Sequence, residues 1–525
     1  MVERIVLVFD VGTQSSRALL VNNRGEILGK DQVRHLPPYT SREPDQAEQR
    51  ADFYYENICQ AARGLKAQLP ELWGRIEAVS ITTIRDTAVC VDADGKPLRP
   101  AILWLDKRKA KGRPKLSQMT RMLFKAVGMD ETATVQFQKS HCNWIRQNEP
   151  EIWEKTHKYL MLSGYLIYKL TGRMSDAAAS LVGHIPFDHQ TRTWQKQGAL
   201  TRPVFPVEPE KLCRVVESGE LLGKITRKAS GDTGIPAGMP VIAAGSDKAC
   251  EILGLGCITK EKAAIGLGTT ATITFTMDKY LEPERFIPPY ASIMKGCYTP
   301  EIEIFRGYWL ISWFKKEFAD KEMKQAEELG VSAEELLNRR IEEIPAGCEG
   351  LLFQPYFTPN VTMPTARGAI IGFSDQHTRI HIYRAIIEGI NFALMDGMRL
   401  MEKRAGHKFK EIYLGGGGSQ SDEICQITAD MFGIPVIRTQ TYEVSGMGCA
   451  IAAFVGLGVF KSYKEAVAAM VRRKDVFTPD MEQHKIYERL YEEVYKKIYG
   501  RLAGLYEKLY EIYHGVPEDQ GKILQ

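Results

Sequence analysis

Asp10-Val-Gly-Thr-Gln-Ser-Ser-Arg17 packs a carboxylate, a glycine, three hydroxyls and a guanidinium into eight residues. A tight turn of this composition offers backbone N–H groups and hydroxyls to phosphate oxygens. Asp10, just ahead of it, suits magnesium, which keeps most of its waters and takes few carboxylates. Gly266-Leu-Gly268-Thr269-Thr270 repeats the pattern without the acid. Gly415-Gly-Gly-Gly418-Ser419 lies between a strand-like and a helix-like run, where the backbone can approach a flat ring or a phosphate near a helix N-terminus. Asp247 follows the strand-like run 239–245, the place where ligands meet open α/β sheets. A carboxylate there could accept the proton of an attacking alcohol. Each stretch also has a plain structural reading: a β-turn with a solvated acid, a simple hairpin, a flexible loop and, for Asp247, a helix N-cap.

These residues need elements to hold them. Residues 4–9 read as a buried strand, 18–21 resume a strand after the polar turn, and Asn22-Asn-Arg-Gly25 turns again. This is strand, polar hairpin, strand, and not the strand-to-helix layout of a P-loop or a Rossmann fingerprint. Residues 262–275 repeat it as strand, glycine-threonine hairpin, strand. The two hairpins predict a duplicated architecture without evident sequence identity between the halves. Further strands are expected at 76–82, 87–92 and 412–414, and helices at 51–69, 149–170, 381–405 and 422–432. Residues 107–138 are basic and polar, with weaker periodicity. In the tail, Tyr487, Leu490, Tyr491, Val494, Tyr495, Ile498, Leu502 and Leu505 recur at three-four spacing, which reads as a packing stripe.

A chain of 525 residues is too long for one hydrophobic core, so two domains are expected. With 44% hydrophobic and 26% charged residues, the composition is that of a soluble globular enzyme. A net charge of +4 does not point to a nucleic acid or a membrane. No run approaches ~18 apolar residues, and the first ten residues read as a strand and not as a leader. The ten cysteines are scattered without a C-x-x-C pair, which argues against zinc and for reduced thiols in the cytoplasm.

Together these residues resemble the FGGY family of carbohydrate kinases: Asp-x-Gly-Thr-x-Ser-x-Arg at 10–17, Gly-x-Asp at 245–247, Gly-Thr-Thr at 268–270 and Gly-Gly-Gly before a helix. Trp104-Leu-Asp106-Lys-Arg108 resembles the family's Trp-x-Asp-x-Arg segment, and Gly350-Leu-Leu-Phe-Gln-Pro-Tyr356 its Gly-Leu-x-Phe-x-Pro-Tyr strand. Residues 368–388 resemble its C-terminal signature, with Phe373 where an aliphatic residue is usual, and Gly446-Met-Gly-Cys-Ala450 its late Gly-x-x-Ala segment. The likeness runs from about residue 4 to about residue 510.

The resemblance implies an α/β, actin-like ATPase fold, with two ribonuclease H-like domains around a central cleft. It divides the chain into an N-terminal, sugar-binding domain at 1–248, a C-terminal, adenosine-binding domain at 249–475, and a helical tail at 476–525 packed on the latter. It also implies ATP- and Mg2+-dependent phosphorylation of a hydroxyl of a small sugar or polyol. Asp247 would be the general base and Asp10 would organise the metal. Thr13, Gln14, Ser15 and Arg17 would meet the transferred phosphate, Gly268 and Thr269 the phosphate chain, and Gly416, Gly417, Gly418 and Ser421 the adenosine. Domain closure would bring the ATP loops together. The expected partner is a small-molecule substrate, with no nucleic acid and no membrane, and a homodimer is common in the family. A nucleotide-binding regulator or pseudokinase on the same fold is the alternative, and the presence of both Asp10 and Asp247 argues against it.

The sugar pocket is read from fewer residues. Arg85-Asp86-Thr87 resembles the Arg-Glu-Thr of glycerol kinases and the Arg-Glu of autoinducer-2 kinases, and not the Met-His of xylulose kinases. A paired Arg85 and Asp86 would offer donors and acceptors together to vicinal hydroxyls. Trp104 would stack on the carbon face of the substrate, Gln136 stands near a substrate-facing Tyr of glycerol kinases, and Asp247 would meet the reacting hydroxyl. Lys248 stands where many relatives have Gln; turned inward, it would admit a sugar acid or an autoinducer-like compound. Residues 357–364 lack the family's usual Gly-Glu-Arg, and His141-Cys-Asn-Trp144 replaces its commoner Lys-Leu-x-Trp.

Overall fold

The computed structural model describes residues 2–284, 287–358, 363 and 365–514, which form two compact units. Unit 1 carries a six-stranded sheet of β1 (Ile5–Val11), β2 (Ser15–Asn22), β3 (Ile27–Arg34), β4 (Ile76–Thr83), β5 (Leu221–Lys224) and β6 (Pro240–Ile242). Its order is β5-β6-β4-β1-β2-β3. β1, β4 and β6 are parallel, and the other three strands pair antiparallel. Unit 2 carries β7 (Lys262–Leu267), β8 (Ala271–Phe275), β9 (Glu301–Ile304), β10 (Glu411–Gly415), β11 (Val436–Thr439) and β12 (Arg473–Phe477). Its order, β9-β8-β7-β10-β11-β12, matches β3-β2-β1-β4-β6-β5 pair by pair, in parallel and antiparallel sense alike. The duplication expected from the two hairpins is therefore present strand for strand.

β1 is buried on both faces, as its unbroken apolar run requires. Ile5, Leu7, Phe9 and Val11 join a core with Tyr54, Ile58 and Leu65 of helix Ala51–Gln68. Val6 and Val8 join a second core with Met447, Ala450 and Ala453 of helix Val444–Gly456. That helix crosses helix Asp247–Gly254 so closely that a Cβ at Gly254 would strike the Val444 carbonyl, and one at Gly448 the Cys250 carbonyl.

These contacts place Glu443–Arg472 in unit 1, together with the chain up to Thr259 and the segment Thr276–Pro300. Unit 2 takes Lys260–Phe275, Glu301–Tyr442 and the chain from Arg473. The compact units thus do not follow a linear division at 248 and 475, because the backbone returns to cover the far face of β1. The helix expected over 149–170 is also divided. Helix Pro150–Lys155 gives way to strand Lys158–Met161, paired with Ala88–Val91, before helix Leu162–Thr171. A short apolar run such as Tyr159-Leu-Met161 has no periodicity that separates strand from helix. Residues 359–362 and 364, where the usual Gly-Glu-Arg is lacking, lie outside the described residues.

Candidate active site

The parallel strands β1, β4 and β6 end at one edge of the unit 1 sheet. Asp10 stands beside Thr82 on β1, Arg85 and Asp86 follow β4, and Asp247 follows β6. With strands spaced about 4.8 Å apart, the ends of β1 and β6 lie about 10 Å from each other, with β4 between them. The charge of Glu251 acts on both Asp10 and Asp247.

Ser246, and not Asp247, is the N-cap of helix Asp247–Gly254; its Oγ accepts from the Ala249 N–H at 3.3 Å. The Asp247 Oδ1 accepts from the Lys248 N–H at 2.8 Å and lies 4.0 Å from the Arg85 Nε. Burial raises its pKa to about 6 against the opposing charges of Arg85 and Lys248. Lys248 itself is paired with Glu251 at 2.8 Å.

Asp10 is buried and paired with Arg17 at 2.9 Å, and Arg17 also faces Glu443 at 3.6 Å. Burial raises the Asp10 pKa; Arg17 opposes this, and Glu443 adds to it. Among the described residues no three His, Cys, Asp or Glu side chains converge as a metal cage. A single buried carboxylate such as Asp10 would suit magnesium, which takes few carboxylates.

Gly12–Ser15 closes as a turn, with the Gly12 N–H bonded to the Ser15 carbonyl at 2.9 Å. His35 braces it from beneath: Nδ1 lies 3.0 Å from the Thr13 carbonyl and Nε2 2.9 Å from the Ser16 Oγ. Burial lowers the His35 pKa, so the neutral ring donates from Nδ1 and accepts from the Ser16 hydroxyl. The Trp104 indole N–H donates to the Thr13 Oγ1 at 3.0 Å, tying that ring to the hairpin. The rest of its segment is a clamp. Arg108 holds Asp106 by two bonds of 2.8 Å and Glu48 at 2.8 Å, and its guanidinium lies over the Trp144 ring.

Arg85 and Asp86 do not act as one pair. Asp86 has a left-handed φ of 45°, and the two side chains have different partners. Arg85 faces Asp247, and its guanidinium also lies over the Tyr290 ring. Asp86 accepts from the His184 Nδ1 at 2.7 Å and from the His184 N–H at 3.2 Å. Burial would raise the Asp86 pKa, but His184 and His141 hold it well below the usual carboxylate range. No hydrogen bond or ion pair among the described residues joins Gln136, half-buried on helix Asp130–Lys139, to this group. His141, at the start of the next helix, reaches it instead. His35, His141, His184 and Glu443 are the residues that sequence reasoning missed. Their relation to the hairpin and to Asp86 is made only by long-range folding.

In unit 2, the Gly268 and Thr269 carbonyls accept from the N–H groups of Tyr308 and Trp309 at 2.9 and 3.2 Å. Gly416 has φ +82°, and residues 417–420 form a 3-10 turn in which the Ser419 Oγ donates to the Gly416 carbonyl at 2.7 Å. Gly418 is buried beneath the Tyr308 ring, leaving no room for a side chain. Ser421 caps helix Asp422–Phe432 through the Ile424 N–H and donates to Glu423. The 381–388 stretch of the C-terminal signature is structural: Arg384 bonds Glu388 at 2.8 Å, the carbonyls of Ile341 and Ile344, and the Tyr487 hydroxyl.

Residues 5–254 match the N-terminal domain of the FGGY family of carbohydrate kinases, and residues 263–457 its C-terminal domain. An "uncharacterized sugar kinase YgcE" of Escherichia coli (strain K12) is 30% identical over 93% of this chain and 92% of its own length. A xylulose kinase of Staphylococcus epidermidis (strain ATCC 12228) is 30% identical over 93% and 95%. The crystal structure of xylulose kinase from Rhodospirillum rubrum superposes with a TM-score of 0.81 at 24% identity, over 96% of this chain and 100% of that one, which shows a common fold. The chain, with its actin-like pair of ribonuclease H-like domains, therefore belongs to the FGGY family of carbohydrate kinases, enzymes that transfer phosphate to an alcohol group of a carbohydrate.

Proposed function

We propose that unit 1 binds the acceptor and that Asp247 is the general base that takes the proton of its reacting hydroxyl. The observation that carries this is the Asp247 carboxylate itself. It stands at the end of a parallel strand, is relieved of capping by Ser246, faces Arg85 at 4.0 Å and has a pKa raised to about 6. A base poised there is ionised at neutral pH yet basic enough to share a proton. Arg85 orients the hydroxyl, and Trp104, anchored to Thr13, forms a wall of the acceptor site. Thr13, Gln14 and Ser15 lie on the turn that meets the transferred phosphate, with Arg17 behind Asp10. In unit 2, Gly268 and Thr269 support the phosphate chain and residues 416–418 the adenosine, while Ser421 holds the helix that follows.

Phosphoryl transfer is driven by positioning and charge stabilisation. Magnesium bound at Asp10 would neutralise charge on the phosphate oxygens. The residues of this chain hold the acceptor, keep the hairpin rigid and accept the proton. An ADP-release screen over polyols, ketoses and sugar acids identifies the acceptor. Asp247→Asn is expected to lower its turnover by about 10²–10⁴-fold, with ATP binding retained in titration calorimetry. Near-normal turnover in that variant would remove Asp247 as the base.

A further inference from the structure

We propose that His184, oriented by Asp86 and backed by His141, is the residue that reads a second hydroxyl of the acceptor, and that the acceptor is an uncharged polyol or ketose. This rests on the assignment of unit 1 as the acceptor site. Arg85 and Asp86 are neighbours in sequence, yet the left-handed turn at Asp86 sends their side chains to different partners. Arg85 goes to the base. Asp86 takes both the ring and the backbone N–H of His184, so its own carboxylate is already engaged. With Nδ1 donating to Asp86, Nε2 is the polar atom His184 has left to offer. The His184 side chain is 22% exposed, open enough to meet a ligand.

The arrangement is built, not incidental. Gly183 has φ +149°, and a Cβ there would lie 2.5 Å from the Asp86 Oδ1, so any side chain at 183 would displace the carboxylate. The Ser140 hydroxyl donates to the His184 carbonyl at 3.0 Å, pinning the backbone from the other side. His141 is 3% exposed, and its Nδ1 is buried with no hydrogen-bond partner among the described residues. A buried polar atom of this kind is costly unless a water or a ligand meets it.

The charges at the site decide the ligand class. Arg85 faces Asp247, His184 faces Asp86, and Lys248 faces Glu251. Arg85 and Lys248 each already stand against a carboxylate, so a substrate carboxylate would meet no unbalanced positive charge there and would lose its own hydration. Hydroxyls, which both donate and accept, match the partly exposed His184 Nε2 without bringing charge.

The test is steady-state kinetics of the full chain with ATP against xylulose, ribitol, glycerol and, as the anionic member, gluconate. The best acceptor is expected to be a neutral one. His184→Ala should raise its KM tenfold or more and change its selectivity over the next-best acceptor, with kcat and the KM for ATP within about threefold. His184→Gln, which can still donate to Asp86, should recover part of the loss. If His184→Ala does not fold, Asp86→Asn carries the same expectation on acceptor KM. Preference for gluconate would overturn the ligand class. A fall in kcat with acceptor KM and selectivity unchanged would make His184 merely structural. Near-normal turnover of Asp247→Asn would instead defeat the underlying site assignment, independently of His184.

Discussion

The two six-stranded sheets share one strand order but not one chemistry at their strand ends. Asp10-Val-Gly-Thr13 of unit 1 corresponds in pairing to Gly266-Leu-Gly-Thr269 of unit 2, so the acid of the first hairpin is a glycine in the second. After β4 come Arg85 and Asp86; after the equivalent β10 come Gly416, Gly417 and Gly418. Unit 1 keeps ionisable side chains where the parallel strands end, which is what moving a proton and orienting hydroxyls require. Unit 2 replaces them with glycines, which expose backbone N–H groups and admit a ligand closely. Its buried pair Arg384 and Glu388 ties the helix Arg379–Ala405 to the carbonyls of Ile341 and Ile344 and to Tyr487.

That contrast breaks first at Glu388. Glu388 is 1% exposed and accepts from Arg384, Tyr487 and the Gly347 N–H. Glu388→Gln leaves the Arg384 guanidinium buried without its counter-charge, a loss of about 3–5 kcal/mol. Calorimetric unfolding should show a transition lowered accordingly, while Asp247→Asn should move stability the other way. The Asp247 pKa rises from 3.8 unfolded to about 6 folded, so the native state binds more protons across that window. Stability therefore falls as pH rises through it, and above pH 6 the carboxylate costs about 1–3 kcal/mol that Asn would relieve. If Glu388→Gln were neutral and Asp247→Asn destabilising, the division between structural and chemical charges would fail.

Much of this contrast was legible in the chain. The hairpins, Asp247 at a strand end and the glycine run all follow from local composition, because turns and strand ends are fixed by neighbours in sequence. The helix Ala51–Gln68 and the helix Arg379–Ala405 were legible for the same reason. What stayed hidden depends on residues far apart. His35 braces a carbonyl 22 positions away, and His184 meets Asp86 across 98. No local signal marks either. The different partners of Arg85 and Asp86 are not legible in the sequence, because the left-handed backbone at Asp86 is not written in its residue type, and Asp is only one of the residues that tolerate it. The helix Val444–Gly456 lies within the match to the C-terminal family domain yet packs in unit 1, because it covers a face of β1, and no local feature of its sequence marks that.

A smaller break is expected at Gly418. A Cβ there would lie 2.5 Å from the Tyr308 Cε1 and 2.9 Å from the Leu267 Cβ. Gly418→Ala must shift the ring or the strand end, at about 1–3 kcal/mol. Its signature should be confined to the nucleotide: the KM for ATP rises roughly tenfold, about 1.4 kcal/mol, while the KM for the acceptor holds. Equal rises in both would mean that residues 416–418 do not serve the nucleotide separately.

The finest test is the acid limb of the pH profile. Asp247 must be ionised to accept a proton, so kcat/KM should fall about tenfold per pH unit below a midpoint near 6. Burial sets that midpoint high, and Arg85, Lys248 and the Lys248 N–H hold it down, with Glu251 pushing against them. Arg85→Gln removes the first-named of these opposing charges. Burial is then less opposed, the proton is held more tightly, and the midpoint must move to higher pH, lowering activity at neutral pH a few-fold beyond any loss of acceptor binding. Restoring the rate by raising the pH would separate the effect on the base from the effect on the acceptor. A midpoint that stayed in place would mean that the guanidinium, 4.0 Å away, orients the substrate without tuning the carboxylate.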